Sequence, residues 1–307
     1  MKLSANLGLI AFFYAYVVCY FIIMKNSFYT LFVLLALAGF VSACSEPEKQ
    51  ASASKNVHVL PYQFAMPGLD RQRTVRLYLP PSYEKSHEKN YPVIYMHDGQ
   101  NLFDQLTAYA GEWQIDEALD KLAIEQGLEF IVVGIDNGGE ARMNELSPWP
   151  NERFGVAQGQ EYMDFIVEVV KPYIDTNFRT ESDRLNTAIM GSSMGGLISH
   201  YAVHQYPDVF SKAGIFSPSY WYSQDVYAFT KFKKAKLDAR LYVMFGDNEG
   251  NGMIADSDTM QRQLKQQGHP RQNMLFKRVA GGKHNEALWG SEFVEAVKWL
   301  FQQQPTF

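Results

Sequence analysis

Short, largely apolar runs alternate with longer amphipathic stretches through most of this 307-residue chain. Such runs occupy residues 91–96, 130–135, 187–190 and 240–245, and residues 113–126, between the first two, carry apolar side chains at helical spacing. Runs that are apolar throughout indicate strands buried on both faces of a sheet. The alternation therefore predicts an α/β fold, in which a mostly parallel central sheet is covered by helices on both faces.

The segment 57–307 shows no break in composition and no internal repeat, which predicts a single domain. The chain is 47% apolar, enough for a large buried core. A net charge of −5 without a basic stripe argues against a nucleic-acid partner. Both cysteines, Cys19 and Cys44, precede this segment, so it has neither a disulfide framework nor a cysteine-based metal site.

The N-terminal region has the pattern of an export signal followed by a lipidated cysteine. Residues 24–43 begin with a short basic start, continue as an apolar run over 28–40 and end in small residues before Cys44. Residues 41–44, Val-Ser-Ala-Cys, closely resemble a bacterial lipobox, whose cysteine becomes the first residue of the mature protein and carries lipid. We therefore expect residues 24–43 to be a lipoprotein signal peptide and Cys44 to be the lipidation site.

Two further segments flank this signal. Residues 1–23 form an apolar extension, explained either by an over-extended reading frame or by a genuine transmembrane helix. Residues 44–56 are polar and are predicted to be a flexible tether. The resemblance to lipoproteins implies an exported protein anchored to a bacterial membrane, facing the periplasm or the exterior. Ser45 favours the outer membrane, because retention in the inner membrane usually requires aspartate at that position.

A G-x-S-x-G pattern centred on Ser193 is the most informative chemical motif of the chain. It follows an apolar run and precedes a stretch of helical character, in the order strand, sharp turn, helix. In a nucleophile elbow, such a turn lifts one serine hydroxyl out of the sheet and points the N-terminus of the next helix at it. Gly191 and Gly195 let the backbone crowd around the serine. The pattern predicts a serine hydrolase with Ser193 as the nucleophile.

A serine nucleophile needs a base, usually a histidine oriented by a carboxylate. Four histidines follow Ser193 in the chain, and the first of them, His200, lies in the helical stretch directly after the elbow. His204 falls within the helix after the elbow and is expected to be a surface or packed residue. His269 lies in a polar loop and is expected to be solvated. His284 lies between the last strand and the last helix, which predicts it as the base.

The acid is expected in the loop after the preceding strand, which ends at Phe245. That loop, residues 246–251, contains two carboxylates, Asp247 and Glu249. Their spacing does not distinguish between them, and the one that does not act would be a solvated turn residue.

Ester chemistry of this kind also needs two backbone N–H groups that bind the developing oxyanion. Met194, directly after the serine, is one expected donor. The loop of residues 97–104 is expected to supply the other, because Gly99 leaves the backbone free to turn an N–H toward the site.

Six separated motifs, in the right order, resemble the putative esterase family, also called the esterase D family, over roughly residues 75–300. The family has the α/β-hydrolase fold. It includes feruloyl and acetylxylan esterases, S-formylglutathione hydrolases, iron-siderophore trilactone hydrolases and secreted mycolyltransferases. The motifs occupy residues 95–100, 111–113, 191–196, 217–221, 246–249 and 281–285.

The resemblance implies the roles of three catalytic residues within these motifs. Ser193 is the nucleophile and His284 the base. The acid of the family commonly lies three residues after the glycine that ends the strand, which points to Glu249 and leaves Asp247 as the alternative. No metal and no organic cofactor is implied.

The resemblance also implies that the N–H of Gln100 is the second oxyanion donor, beside that of Met194. The sequence Lys-His-Asn-Glu at residues 283–286 departs from S-formylglutathione hydrolases, which carry Asp-His-Ser-Tyr there. Export as a lipoprotein also fits poorly with a cytosolic glutathione substrate, so S-formylglutathione hydrolysis is set aside.

Candidate substrate contacts are Asp98, Trp113 and Trp221, in or beside loops of the predicted site. Aromatic faces suit a sugar ring, a catechol or a hydroxycinnamoyl group, although core packing explains Trp113 equally well.

Taken as a whole, the sequence predicts a serine esterase that hydrolyses an acyl-glycan, hydroxycinnamoyl or siderophore-type ester through an acyl-enzyme. Two alternatives stay open. The same residues could transfer the acyl group to an alcohol, or the chain could be a catalytically idle lipoprotein that binds a glycan or a siderophore. A binding protein has no need of a nucleophile, a base and an acid together, which argues against the last alternative.

Overall fold

The computed structural model describes residues 49–302. The apolar extension at 1–23, the signal peptide at 24–43 and the lipidation site Cys44 lie outside the described residues, so those expectations stay predictions. Across residues 49–302, no helix combines the length and the apolar character needed to cross a membrane.

The strands of the described residues form one large sheet and one small hairpin. Their bounds are β1 (Val57–Val59), β2 (Phe64–Met66), β3 (Arg71–Arg73), β4 (Val75–Tyr78), β5 (Val93–His97), β6 (Ile131–Ile135), β7 (Thr187–Ser192), β8 (Lys212–Phe216), β9 (Arg240–Gly246) and β10 (Met274–Val279). The large sheet has eight strands in the order β1-β4-β6-β5-β7-β8-β9-β10, and β2 pairs with β3. Pairs from β6 through β10 are parallel, whereas β4 is antiparallel to both β1 and β6. The mostly parallel central sheet predicted from the apolar runs is confirmed.

Helices connect the parallel strands, and the helix predicted over residues 113–126 is found at Ile115–Gln126. The helices are α1 (Ile115–Gln126), α2 (Arg142–Glu145), α3 (Gly159–Phe165), α4 (Lys171–Asn177), α5 (Met194–Gln205), α6 (Asp225–Phe232), α7 (Asn251–Gln266) and α8 (Glu286–Phe301). A stretch of wider π-helix, Ile166–Val170, joins α3 to α4.

The core lies in two layers, one on each face of the sheet. Alternate residues of a strand point to opposite faces, so Tyr95 of β5 packs with the layer that contains α3 and α5, and Met96 packs with the layer of α1 and α8. Helices therefore cover both faces, as predicted from the apolar character of the strands.

The parallel strands place the functional loops at one edge of the sheet. Because β5, β7, β8, β9 and β10 all run in the same direction, their C-terminal ends lie side by side. Ligands of open α/β sheets bind beyond that edge. The loops after these strands carry the predicted site residues.

The end of the predicted tether makes specific contacts with α1. The backbone N–H of Ser54 donates to Asp116 Oδ2 at 2.6 Å, and Asn56 Nδ2 donates to Asp120 Oδ1 at 2.8 Å. Residues 54–56 are thus bound to the domain rather than extending freely from it.

His269 is packed against the domain, and the expectation that it is solvated is wrong. Only 7% of its surface is exposed, and its Nε2 lies 3.0 Å from the carbonyl oxygen of Ala239. Its polar sequence neighbours indicated a loop correctly, but the ring turns inward to satisfy a backbone carbonyl.

Candidate active site

Ser193 occupies the sharp turn between β7 and α5 in a strained backbone conformation. Its φ of 57° and ψ of −116° lie outside the regions that non-glycine residues usually adopt. Its N–H donates to the carbonyl of Phe216 at 2.9 Å, which ties the turn to the neighbouring strand β8. A Cβ on Gly191 would lie 2.9 Å from the carbonyl carbon of Gly195, so the turn can close only around glycine.

His284 and Glu249 meet across the ends of β9 and β10. Nδ1 of His284 lies 2.6 Å from Oε2 of Glu249. The Glu249 side chain is only 1% exposed, whereas that of His284 is 39% exposed. The other carboxylate oxygen, Oε1, accepts from the N–H of Gly246 at 2.6 Å and from Ser217 Oγ at 2.7 Å. The carboxylate is therefore buried, fixed and directed at the imidazole.

Asp247 has a different set of contacts, which holds the loop rather than the imidazole. Its Oδ1 accepts from the N–H of Gly281 at 2.6 Å, and its Oδ2 lies 4.0 Å from Arg278 Nε. The two carboxylates that sequence spacing left undistinguished thus have distinct partners, and it is Glu249 that contacts His284.

Ser217 and Trp289 support this pair, and sequence reasoning gave neither of them that role. Trp289 Nε1 donates a hydrogen bond to Ser217 Oγ at 2.8 Å, and Ser217 Oγ in turn donates one to Glu249 Oε1. The Trp289 ring also lies edge-on to His284, with centroids 4.9 Å apart and planes at 88°. The only signal in the sequence was that Ser217 opens the Ser-Pro-Ser-Tyr-Trp motif after a strand.

The hydroxyl of Ser193 is hydrogen-bonded to a second serine. Ser193 Oγ lies 3.1 Å from Ser219 Oγ, and no hydrogen bond joins it to His284 within the described residues. Ser193 and His284 nevertheless line the same cleft. Catalytic hydrogen bonds are often long in ligand-free structures and shorten when substrate binds, so this geometry is compatible with proton transfer between the two residues.

Two backbone N–H groups have no acceptor within their own helices: that of Met194, next to Ser193 in the chain, and that of Gln100, which lines the same cleft as Ser193. Met194 is the first residue of α5, and the first turn of a helix leaves its N–H groups unpaired. Gln100 lies in a 3₁₀ turn, Gly99–Asn101, in which the first internal bond is donated by Asn101 to Asp98. The Gln100 side chain is itself held, since its Oε1 accepts from the N–H of Asn137 at 3.0 Å.

Asp98, a predicted substrate contact, is bound by protein groups. Its Oδ1 and Oδ2 accept from Arg142 at 2.6 and 2.8 Å, and Asn137 Nδ2 donates to Oδ1 at 2.6 Å. Burial alone would raise the pKa of Asp98, but the Arg142 charge and these hydrogen bonds outweigh it and hold the pKa below its usual value. Asp98 lines the cleft as an ionised, paired group that anchors the loop carrying Gln100.

His97, next to Asp98, is buried beneath the elbow as a neutral ring. Its Nδ1 lies 2.7 Å from the hydroxyl of Tyr162. Burial lowers its pKa to about 3, despite the opposing effect of Asp98. His97 packs under Gly195, and a Cβ added to Gly195 would lie 3.2 Å from the Cβ of His97.

The cleft above Ser193 has a volume of about 740 Å³. Trp113 and Trp289 form part of its wall, and Trp113 is only 4% exposed. Trp221, also predicted to contact substrate, does not line this cleft. It is 53% exposed and packs against Phe154 and Tyr222.

A group of three carboxylates lies close to, but does not line, this cleft. Oxygen atoms of Glu112, Asp116 and Glu117 lie within 4.8 Å of one another, the spacing of cation ligands. Ser52 Oγ donates to both oxygens of Glu112 at 2.9 Å, and Ser54 donates to Asp116. Two of the three are thus engaged by the segment before β1.

Comparison with known proteins agrees with this architecture. Residues 67–300 match the family model described as putative esterase. The protein YbbA of Bacillus subtilis (strain 168), itself uncharacterized, is 29% identical over 243 residues, which cover 75% of this chain and 92% of that protein.

Two further similar proteins have names that include a substrate. The endo-1,4-beta-xylanase/feruloyl esterase of Xylanibacter ruminicola is 25% identical over 186 residues, 58% of this chain and 23% of that protein. The solved structure of the siderophore hydrolase EstA from Aspergillus nidulans has a TM-score of 0.64 and 19% identity, covering 84% of this chain and 98% of that one. At that identity the structural likeness shows a shared fold.

Proposed function

Because this chain belongs to the putative esterase family, we propose that it is a serine esterase that hydrolyses carboxylic esters through an acyl-enzyme. The observation that carries the proposal is the 2.6 Å contact between His284 Nδ1 and the buried Glu249. A carboxylate at Nδ1 fixes the tautomer in which Nε2 is free to accept a proton. Ser193 lines the same cleft as His284.

In the proposed first half-reaction, Ser193 Oγ attacks the carbonyl carbon of the ester while His284 Nε2 takes its proton. The imidazolium formed is stabilised by Glu249. Negative charge develops on the carbonyl oxygen, where the N–H groups of Met194 and Gln100 would donate to it. The tetrahedral intermediate then collapses, the C–O bond breaks, and His284 returns the proton to the departing alcohol.

In the second half-reaction, water repeats the sequence on the acyl-enzyme. His284 removes a proton from the water as it attacks the acyl carbon, and then returns a proton to Ser193 Oγ. Acyl transfer is the same step with an alcohol in place of water, and it is the alternative within this mechanism. An idle binding protein would not require a fixed and buried carboxylate on the imidazole, so binding alone is less well supported.

The proposed substrate is an acyl-glycan, hydroxycinnamoyl or siderophore-type ester. Support comes from the aromatic wall of the cleft, Trp113 and Trp289, which suits a planar or ring-shaped group. It also comes from the descriptions of two similar proteins, a xylanase/feruloyl esterase and a siderophore hydrolase.

The direct test is active-site labelling of the purified protein with a fluorophosphonate, followed by peptide mass spectrometry. The proposal requires the label on Ser193 and loss of p-nitrophenyl acetate hydrolysis in proportion to labelling. A label confined to another serine, or full activity of the labelled protein, would refute it. Feruloyl, acetyl-glycan and trilactone esters offered side by side would then identify the substrate.

The proposed location is a bacterial membrane, with a lipid on Cys44 and the domain facing the periplasm or the exterior. The support is the small-residue run and the cysteine that end the apolar segment before residue 45. Metabolic labelling with a palmitate analogue should mark the wild-type chain and not Cys44→Ser. Equal labelling of both chains would exclude this location.

A further inference from the structure

Two carboxylates line the cleft without a cationic partner. Glu140 and Glu286 both line it, and neither forms an ion pair within the described residues. Arg142 also lines it, but its Nε and Nη2 both donate to Asp98, which matches its charge. The cleft therefore carries an excess of negative charge.

Glu286 lies in the wall of the cleft, where its negative charge would act on a bound substrate. It is the first residue of α8, two residues after His284, and only 7% of its surface is exposed. Burial raises its pKa, and so does the nearby Asp98, while Arg142 and His284 oppose the rise. Because Glu286 lines the same cleft as Ser193 and His284, it lies within electrostatic range of the reacting groups. The N-terminal end of a helix, in turn, stabilises a carboxylate.

The negative surface continues beyond the cleft. A neighbouring depression shares Glu286 and Trp113 with the cleft and adds Glu112 and Glu117. It also contains Lys121, which is 72% exposed in its side chain and lies 3.9 Å from Glu125 outside the depression. Burial raises the pKa of Glu117 to about 7, so this carboxylate is only partly ionised at neutral pH. Together with Glu112 and Glu286 it still outweighs one exposed, partly compensated cation.

Aromatic rings accompany these carboxylates. Tyr109 lines the mouth of the cleft and is 91% exposed, and Trp113 and Trp289 form its wall. Aromatic faces attract ammonium groups through their quadrupole, most strongly where a carboxylate adds its charge. An anionic group would lose its hydration without gaining an unpaired cation.

From this arrangement we infer that the cleft selects esters that carry an ammonium group over uncharged esters, and uncharged over anionic ones, with Glu286 and Glu140 as the determinants. The inference rests on the proposed function and adds a substrate class to it. Among the substrate types named above, an anionic metal chelate would be the least favoured.

Three esters of similar size and different charge test the inference. Acetylcholine and 3,3-dimethylbutyl acetate have the same shape, but the first has a quaternary nitrogen where the second has carbon. The anionic probe is 4-acetoxybutanoate. Each is added as a competitor to p-nitrophenyl acetate hydrolysis at low ionic strength, and its apparent inhibition constant is measured.

We expect acetylcholine to compete roughly three to ten times more tightly than its neutral isostere, and the anion to compete more weakly than both. The preference should shrink in about 0.5 M salt, because mobile ions screen an open cleft. Glu286→Gln and the exposed Glu140→Gln should each move the ratio of the inhibition constants of 3,3-dimethylbutyl acetate and acetylcholine toward one. The matched control is Glu84→Gln, at an exposed position outside both the cleft and the depression, which should leave both the ratio and the rate unchanged.

Equal competition by the isosteres, or tighter competition by the anion, overturns the inference while ester hydrolysis stands. If the wild-type protein cleaves no p-nitrophenyl acetate, the proposed function fails instead. In that case the charge preference is read from the change in intrinsic tryptophan fluorescence, to which Trp113 and Trp289 in the wall of the cleft contribute, as each ester is titrated, and the same order is required.

Discussion

Ser217 donates from Oγ to Glu249 Oε1 at 2.7 Å, and this bond holds the carboxylate that contacts His284. Ser217 has a positive φ of 43° and receives a hydrogen bond from Trp289 at 2.8 Å. A chain of three bonds thus runs from the indole of α8 to the imidazole at the mouth of the cleft. Its members come from the loops after β8, β9 and β10 and from α8.

Ser217→Ala should lower kcat for p-nitrophenyl acetate roughly tenfold to a hundredfold, since a hydrogen bond to a charged group contributes about 1.5–3 kcal/mol. KM should change little, because Ser217 contacts Glu249 and not the ester. Steady-state kinetics measure kcat and KM separately for the variant and the wild type. Ser86→Ala, on the surface away from the cleft, is the matched control. A rise in KM with unchanged kcat would instead give Ser217 a role in binding.

Glu249→Gln should reduce kcat/KM by about 10³–10⁴, because an amide at this position favours the wrong imidazole tautomer. Asp247→Asn, two residues away, should cost less than about tenfold, since the amide oxygen can still accept from Gly281. The two rates are compared on the same ester. The reverse order would transfer the role of the acid to Asp247.

Gly191→Ala should destabilise the fold by roughly 1–3 kcal/mol, the usual range for an atom forced into a packed site. The added Cβ would meet the backbone of Gly195 and the ring of His97, both at 2.9 Å. Urea denaturation measures the loss. Gly252→Ala in α7 is the control, because a Cβ there meets nothing within 4 Å and alanine favours a helix. Equal stability of Gly191→Ala and wild type would contradict the close packing of the elbow.

The free energy of unfolding should fall as the pH drops from 6.5 toward 4, in part because of His204. Burial lowers the pKa of His204 to about 4 in the folded protein, so only the unfolded chain gains a proton in this range. Above pH 6.5 both states hold His204 neutral, and it causes no loss of stability. By pH 4 its protonation in the unfolded chain has lowered the free energy of unfolding by about 3 kcal/mol. Denaturation at several pH values should show a shallower slope for His204→Gln than for wild type. His87→Gln, at an exposed position, should keep the wild-type slope.

Much of the candidate site could be predicted because its residues follow strands. The apolar run at residues 187–190 located β7, and His284 was expected between the last strand and the last helix. The parallel order then brought Ser193 and His284 to the same edge of the sheet. Asp98 and Trp113 line the cleft at this edge, although Asp98 is bound by Arg142 and Trp113 is mostly buried. Trp221 was grouped with them from sequence alone and lies outside the cleft.

What the sequence determined by itself is the order of strands and helices and the edge at which they present polar loops, since hydrophobic periodicity is a local property of the chain. Spacing in the sequence left Glu249 and Asp247 open, and only the family resemblance favoured Glu249. The tertiary structure is what brings Glu249 to His284 and joins Glu249 through Ser217 to Trp289. Two carboxylates two residues apart have nearly equal local propensities. Their partners depend on which atoms of other loops lie within hydrogen-bonding distance, and that is set only when the strands pack side by side.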